Sequence, residues 1–293
     1  MRIIDAHTHY YPGEWVALIE REAPKHGAKV GRDGNDSVTF ALGGLSATFS
    51  REYDDLEHRI AYMDGVGVDM HVLSLMAPLV DWAPAAFALD LAQTYNDASA
   101  RACERYPARF AGMAVVPMHE PALAVRELDR VKNHAGMCGL IVGTEINGRN
   151  LDEPDFFPVY AKCEELGWPL FIHPINPIGA ERMRKHYMRN LLGNPIEIGI
   201  GGYSLILGGV LDAFPKLDVM LPRAGGSVPW GIGRLERTVD RWPQFAKAKK
   251  PAIDYLRRFY FDTIVESAPI LTALIGLVGA DRILFGTDYA SVM

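Results

Sequence analysis

The 293-residue chain is 49% hydrophobic and carries a formal net charge of -6 at pH 7. That apolar content can bury a large core, and no linker composition interrupts it, so residues 1–293 are read as one barrel-sized domain. Basic residues are dispersed apart from clusters at Arg182 to Lys185 and Lys247 to Lys250, which argues against a nucleic-acid or anionic-membrane partner. Cys103, Cys138 and Cys163 lack any paired spacing and read as reduced thiols of a cytoplasmic protein.

The first apolar run, Ile3-Ile4-Asp5-Ala6, reads as a short buried strand that ends in His7-Thr8-His9. Alternate residues of a strand share a face about 6.5 to 7 Å apart, so the two imidazoles can converge on one ion just past the strand end. Residues 13–50 break the rhythm and read as a small insertion, with Ser37 to Leu42 and Leu45 to Phe49 as the arms of a β-hairpin around Gly43-Gly44.

From Leu56 onward, helices and short apolar strands alternate. A helix over Leu56 to Asp64 precedes the strand Met70 to Leu75, and a long amphipathic helix over Ala85 to Arg105 precedes Phe110 to Val116. Helix Ala122 to Asn133 leads to strand Gly139 to Val142, and helix Phe157 to Leu166, stopped by Gly167, leads to Pro169 to His173. Helix over Ile196 to Phe214, strand Leu217 to Leu221, helix Trp230 to Arg241, strand Phe259 to Asp262, helix Ile270 to Val278 and strand Ile283 to Gly286 complete the series. Eight strands apolar on both faces and separated by helices predict a (β/α)8 TIM barrel with a small β-hairpin insertion after strand one. The glycine fingerprints of nucleotide-binding open sheets are absent.

Barrel enzymes place their chemistry at the C-terminal ends of the strands. Those positions hold His7 and His9 after strand one, His173 after strand five, Arg223 after strand six, Asp262 ending strand seven and Asp288 after strand eight. Taken singly, His173 reads as a hydrogen-bonded core residue and Asp288 as a loop cap. Their common placement favours a mononuclear site for a divalent transition metal, made by His7, His9, His173 and Asp288. His58, His71, His119 and His134 have no such placement and read as surface or packing residues, and His186 falls in the loop after strand five.

Asp5 to Pro12, Arg59 to Asp64, Ile172-His173-Pro174, Tyr203 to Leu207, Ala224-Gly225-Gly226 and Gly286 to Tyr289 together resemble the metal-dependent amidohydrolase superfamily. Within it they are similar to the branch of non-hydrolytic decarboxylases typified by 2-amino-3-carboxymuconate 6-semialdehyde decarboxylase. The resemblance implies one divalent metal, zinc or alternatively manganese, on His7, His9, His173 and Asp288. It also implies that Arg234 binds a substrate carboxylate, reaching into a neighbouring subunit's site, and hence a homodimer.

Two departures accompany it. Relatives carry a general acid/base histidine where this chain has Arg223, and arginine has neither a neutral form near pH 7 nor an acceptor atom. Relatives also continue into a final barrel helix, whereas this sequence stops at Ser291-Val292-Met293, so the last helix of the barrel is expected to be missing. The leading expectation is a C-C lyase that decarboxylates an unsaturated or aromatic carboxylic acid, with Arg223 and Arg234 neutralising carboxylate and Asp288 able to exchange a proton. Open beside it are a hydrolase or hydratase on the same metal site, and a catalytically impaired metal-binding relative.

Overall fold

Asp5, His7 and His9 take alternate positions of the first strand, β1 (Ile4–His9), and all three are buried, as a pleated strand requires when one face points inward. The computed structural model describes residues 2–291. Two compact units are present, one drawn from Met1–Ile141 and Phe285–Met293 and the other from Val142–Leu284.

In the first unit β1 is followed by helix α1 (Gly13–Glu22), then by strands β2 (Lys29–Arg32), β3 (Val38–Leu42) and β4 (Leu45–Phe49). Helix α2 (Leu56–Val66) leads to β5 (Met70–Ser74), α3 (Ala85–Arg105) to β6 (Phe110–Ala114), and α4 (Pro121–Val131) to β7 (Met137–Gly143). Helix α2 runs past Gly65 and stops at Gly67, whose φ of 74° is the left-handed cap that glycine supplies without strain.

The second unit carries the short strands β8 (Glu145–Ile146) and β9 (Arg149–Asn150), helix α5 (Phe157–Leu166) and strand β10 (Leu170–His173). Helices α6 (Asn194–Leu207) and α7 (Val210–Ala213), strand β11 (Val219–Leu221), helices α8 (Val228–Arg241) and α9 (Ala252–Leu256), strand β12 (Phe259–Asp262), helix α10 (Ala268–Val278) and strand β13 (Ile283–Leu284) follow. The single helix expected from Ile196 to Phe214 is split, because Gly209 at φ 77° breaks the α-helical path between α6 and α7.

The barrel strands follow the sheet order β1-β5-β6-β7-β10-β11-β12-β13. The registers of β1, β5, β6 and β7 in the first unit, and of β10, β11, β12 and β13 in the second, are parallel. This is the expected (β/α)8 pattern. At the far edge the chain returns to β1: Ala6 N–H donates to Phe285 O at 2.9 Å, Asp288 N–H to His7 O at 2.9 Å, and His9 N–H to Tyr289 O at 2.5 Å. On this edge Ile4 and Phe285 are 42% and 40% exposed.

The insertion is larger than a hairpin. β3 and β4 pair as expected across Gly43-Gly44, but β2 adds a third antiparallel strand, with Val30 opposite Phe40. Residues 13–22, also read as part of that irregular stretch, are the helix α1. Trp15 and Ile19, four residues apart, form its buried stripe. Trp15 stacks on Tyr11 at 5.8 Å between ring centroids and meets Phe49 edge-on at 5.5 Å, which fastens the insertion to the end of β1.

Candidate metal centre

The return of residues 285–289 to β1 brings three buried side chains together in the first unit. His7 Nε2 lies 3.2 Å from His9 Nε2 and 3.4 Å from Asp288 Oδ1, while His9 Nε2 is 2.8 Å from the same carboxylate oxygen. Asp288 has φ 61°, which turns its side chain back toward β1. Burial alone would raise the Asp288 carboxyl. His7 and His9 outweigh it and hold the group well below the usual carboxylate range, so it is an anion.

The protonation pattern of His9 suits a metal. Ser74 Oγ donates to Thr8 O at 2.8 Å and therefore offers His9 Nδ1, 3.2 Å away, only a lone pair. A neutral His9 ring would then carry its proton on Nδ1 and turn the Nε2 lone pair toward His7 and Asp288 when an ion is bound. Two imidazole nitrogens and one carboxylate oxygen, all buried and converging, are a donor set for a divalent transition ion.

In the second unit His173 ends β10, buried, with Nδ1 3.0 Å from Pro174 O. The same reasoning puts the ring proton on Nδ1 and the lone pair on Nε2. Arg223 is half-buried at φ 53°, at the start of a turn that follows β11. Asp262 Oδ1 anchors that turn by accepting from Ala224 N at 2.9 Å and Ile264 N at 3.1 Å, so this strand-end carboxylate is occupied in holding the Arg223 loop. Gly226 (φ 56°) allows the chain to pass there, since a Cβ would stand 2.4 Å from Pro195 O. Arg234 lies on α8 and is exposed.

Sequence reasoning overlooked the residues beneath the ligands. Asp5, two places before His7 on the inward face of β1, accepts from Thr287 Oγ1 at 2.6 Å, Thr287 N at 3.2 Å and His7 N at 3.1 Å, tying the Asp288 loop to the His-x-His strand. A charged residue in register with the two histidines was the available signal. Arg59 entered the sequence reading only as part of the resemblance and Ser74 not at all, since the groups they hold, Thr8 O for Ser74 and His9 O for Arg59, lie far along the chain. His71 is a buried packing residue, and His119 is held by Asp81, with Nδ1 3.0 Å from Oδ1.

A parallel eight-stranded barrel with buried histidines and an aspartate at strand ends defines the class of metal-dependent barrel enzymes. The chain belongs to the amidohydrolase family, whose model, described as "Amidohydrolase", matches residues 4–292. It is 34% identical over 293 residues to 2-amino-3-carboxymuconate-6-semialdehyde decarboxylase of Dictyostelium discoideum, covering 98% of this chain and 81% of that protein. It is 30% identical over 271 residues to the gamma-resorcylate decarboxylase of Rhizobium radiobacter, covering 87% and 83%. Among solved structures, 5-carboxyvanillate decarboxylase from Sphingomonas paucimobilis matches with a TM-score of 0.83 and 29% identity over 99% of this chain and 89% of that one. Among the described residues no helix is long and apolar enough to cross a membrane.

Proposed function

We propose that the chain is a metal-dependent carboxy-lyase that removes carbon dioxide from an aromatic or unsaturated carboxylic acid. The observation that carries this reading is the buried triangle of His7, His9 and Asp288, with separations of 3.2, 3.4 and 2.8 Å, in a chain whose relatives are decarboxylases. In this reading His173 completes the donor set, and the ion is zinc or manganese. A divalent ion held by these residues supplies a Lewis acid that stabilises negative charge as carbon dioxide departs.

The remaining roles belong to protein groups. The Arg223 guanidinium is always charged and presents a planar fork that matches a carboxylate, so in this reading it binds and orients the substrate anion. It cannot carry a proton to or from the reacting carbon, so the general acid/base role is absent from this position. Asp288, held anionic, has no proton to give at rest, and any exchange it takes part in begins with uptake. Arg234, exposed on α8, is suited to a substrate carboxylate in a second subunit of a homodimer. Three free cysteines suit a cytoplasmic setting.

Elemental analysis of the purified protein, paired with a carbon dioxide release assay over aromatic and muconate-type acids, tests the reading. About one bound metal per chain with release is expected, and His7→Ala or His173→Ala should abolish both. Full turnover by metal-free protein would overturn it. Uptake of water without carbon dioxide would favour the hydrolase or hydratase reading, which stands because barrel and metal do not fix the reaction. Bound metal with neither outcome would favour the catalytically impaired relative, for which Arg223 in place of a general acid/base histidine is the specific motive.

A further inference from the structure

Arg59 is a cation buried out of reach of solvent. It projects from α2, is completely buried, and among the described residues forms no ion pair. His71 stands between it and Asp5, with Nδ1 toward Arg59 and Nε2 3.8 Å from Asp5 Oδ2. The guanidinium is spent on backbone and rings instead: Nη2 donates to His9 O and, at 3.2 Å, to Tyr53 O, Nη1 lies 3.4 Å from His71 Nδ1, and Cζ sits 4.7 Å from the centroid of the Tyr289 ring. Burial lowers its pKa to about 10, so it remains charged near pH 7.

Burying an arginine without a carboxylate is costly and adds little to stability. What it grips here is specific. The His9 carbonyl belongs to a ligand residue, Tyr289 follows the ligand Asp288, and Tyr53 lies between the three-stranded insertion and α2. The same two segments are joined by His9 N–H to Tyr289 O at 2.5 Å and by Asp288 N–H to His7 O at 2.9 Å. Arg59 therefore closes the end of a zipper whose two sides carry three of the proposed donors. Tyr62, one turn further along α2, stacks on Tyr289 at 4.5 Å and supports the ring from the same helix.

We propose that Arg59 is the positioning residue of the metal centre, a clamp that fixes the His9 end of β1 against the segment carrying Asp288 and so sets the spacing of the donor atoms. This rests on the metal-centre reading above. Loss of such a supporting group typically weakens metal binding by about 10- to 100-fold.

The test is the Mn2+ dissociation constant, by chelator competition, of the parent, Arg59→Met, Arg59→Lys and Tyr289→Leu proteins, with thermal unfolding of each protein measured with and without Mn2+. Arg59→Met is expected to bind Mn2+ about 10- to 100-fold more weakly and to gain less in Tm from the ion. Arg59→Lys, which restores the charge and one donor, should recover part of the affinity, and Tyr289→Leu should lose several-fold. A merely structural residue would lower the Tm of the metal-free protein and leave the dissociation constant and the Mn2+-dependent gain unchanged, which would overturn the proposal. If Arg59→Met does not fold, Arg59→Lys and Tyr289→Leu decide the question by the same two readouts. A parent that binds no Mn2+ or Zn2+ would overturn the metal-centre reading itself, an outcome distinct from a parent that binds and variants that bind equally well.

Discussion

His71 lies completely buried beneath the proposed metal centre, and the fold keeps it neutral far into acid. Desolvation is the main cause, reinforced by the Arg59 guanidinium beside Nδ1 and by Arg109, and together they lower the imidazole pKa from 6.5 to about 3. The unfolded chain protonates this ring near pH 6.5 and the folded chain does not. Its contribution to stability is therefore intact above pH 6.5 and is lost steadily as pH falls from there toward 3, at about 1.36 kcal/mol per unit. At pH 5, about 1.5 units below the unfolded value, the cost is about 2 kcal/mol. His71→Asn keeps an acceptor for Arg59 and removes the titration. Urea denaturation of both proteins in chelator, at pH 7.5 and 5.0, should show the parent losing about 2 kcal/mol more than the variant over that interval. Parallel losses in the two proteins would refute the assignment of acid sensitivity to His71.

Asp288→Asn removes the anionic donor while keeping its size, and metal content after dialysis should fall from about one per chain to well under one, with the metal-dependent gain in Tm lost as well. Arg223→Gln should leave metal content unchanged and raise KM for a carboxylate substrate by about 10- to 100-fold, the loss of a charged hydrogen-bonding partner, as steady-state kinetics would show. Trp15→Ala opens a cavity against Tyr11 and Phe49 and should cost about 3 to 5 kcal/mol in denaturant unfolding.

Some features were legible in the sequence because they are local. Strict apolar runs between helical stretches marked the barrel strands, and helices α3 and α5 ran over the expected residues, since a long amphipathic period and Gly167 at φ 64° are short-range signals. His7 and His9 share a face because a strand has period two, whatever surrounds it. Helix α1 and strand β2 were missed for the opposite reason. Gly13 and Pro12 read locally as breakers, and Lys29-Val30-Gly31-Arg32 has no apolar alternation, so each owes its form to what it packs or pairs with, Trp15 against the aromatic cluster and Val30 against Phe40.

What the sequence by itself determined is the set of strand-end side chains available for chemistry: His7, His9, His173, Arg223, Asp262 and Asp288. Tertiary structure alone decided how they are used. Asp262 caps the Arg223 turn, while Asp288 meets His7 and His9 because backbone hydrogen bonds draw residues 285–289 onto β1. Asp5, Ser74 and Arg59, recruited to hold that arrangement, act on partners up to 282 residues away along the chain. No local pattern encodes such pairs, because a buried charge or hydroxyl is stabilised by whichever distant group satisfies it, and only the folded chain supplies that group.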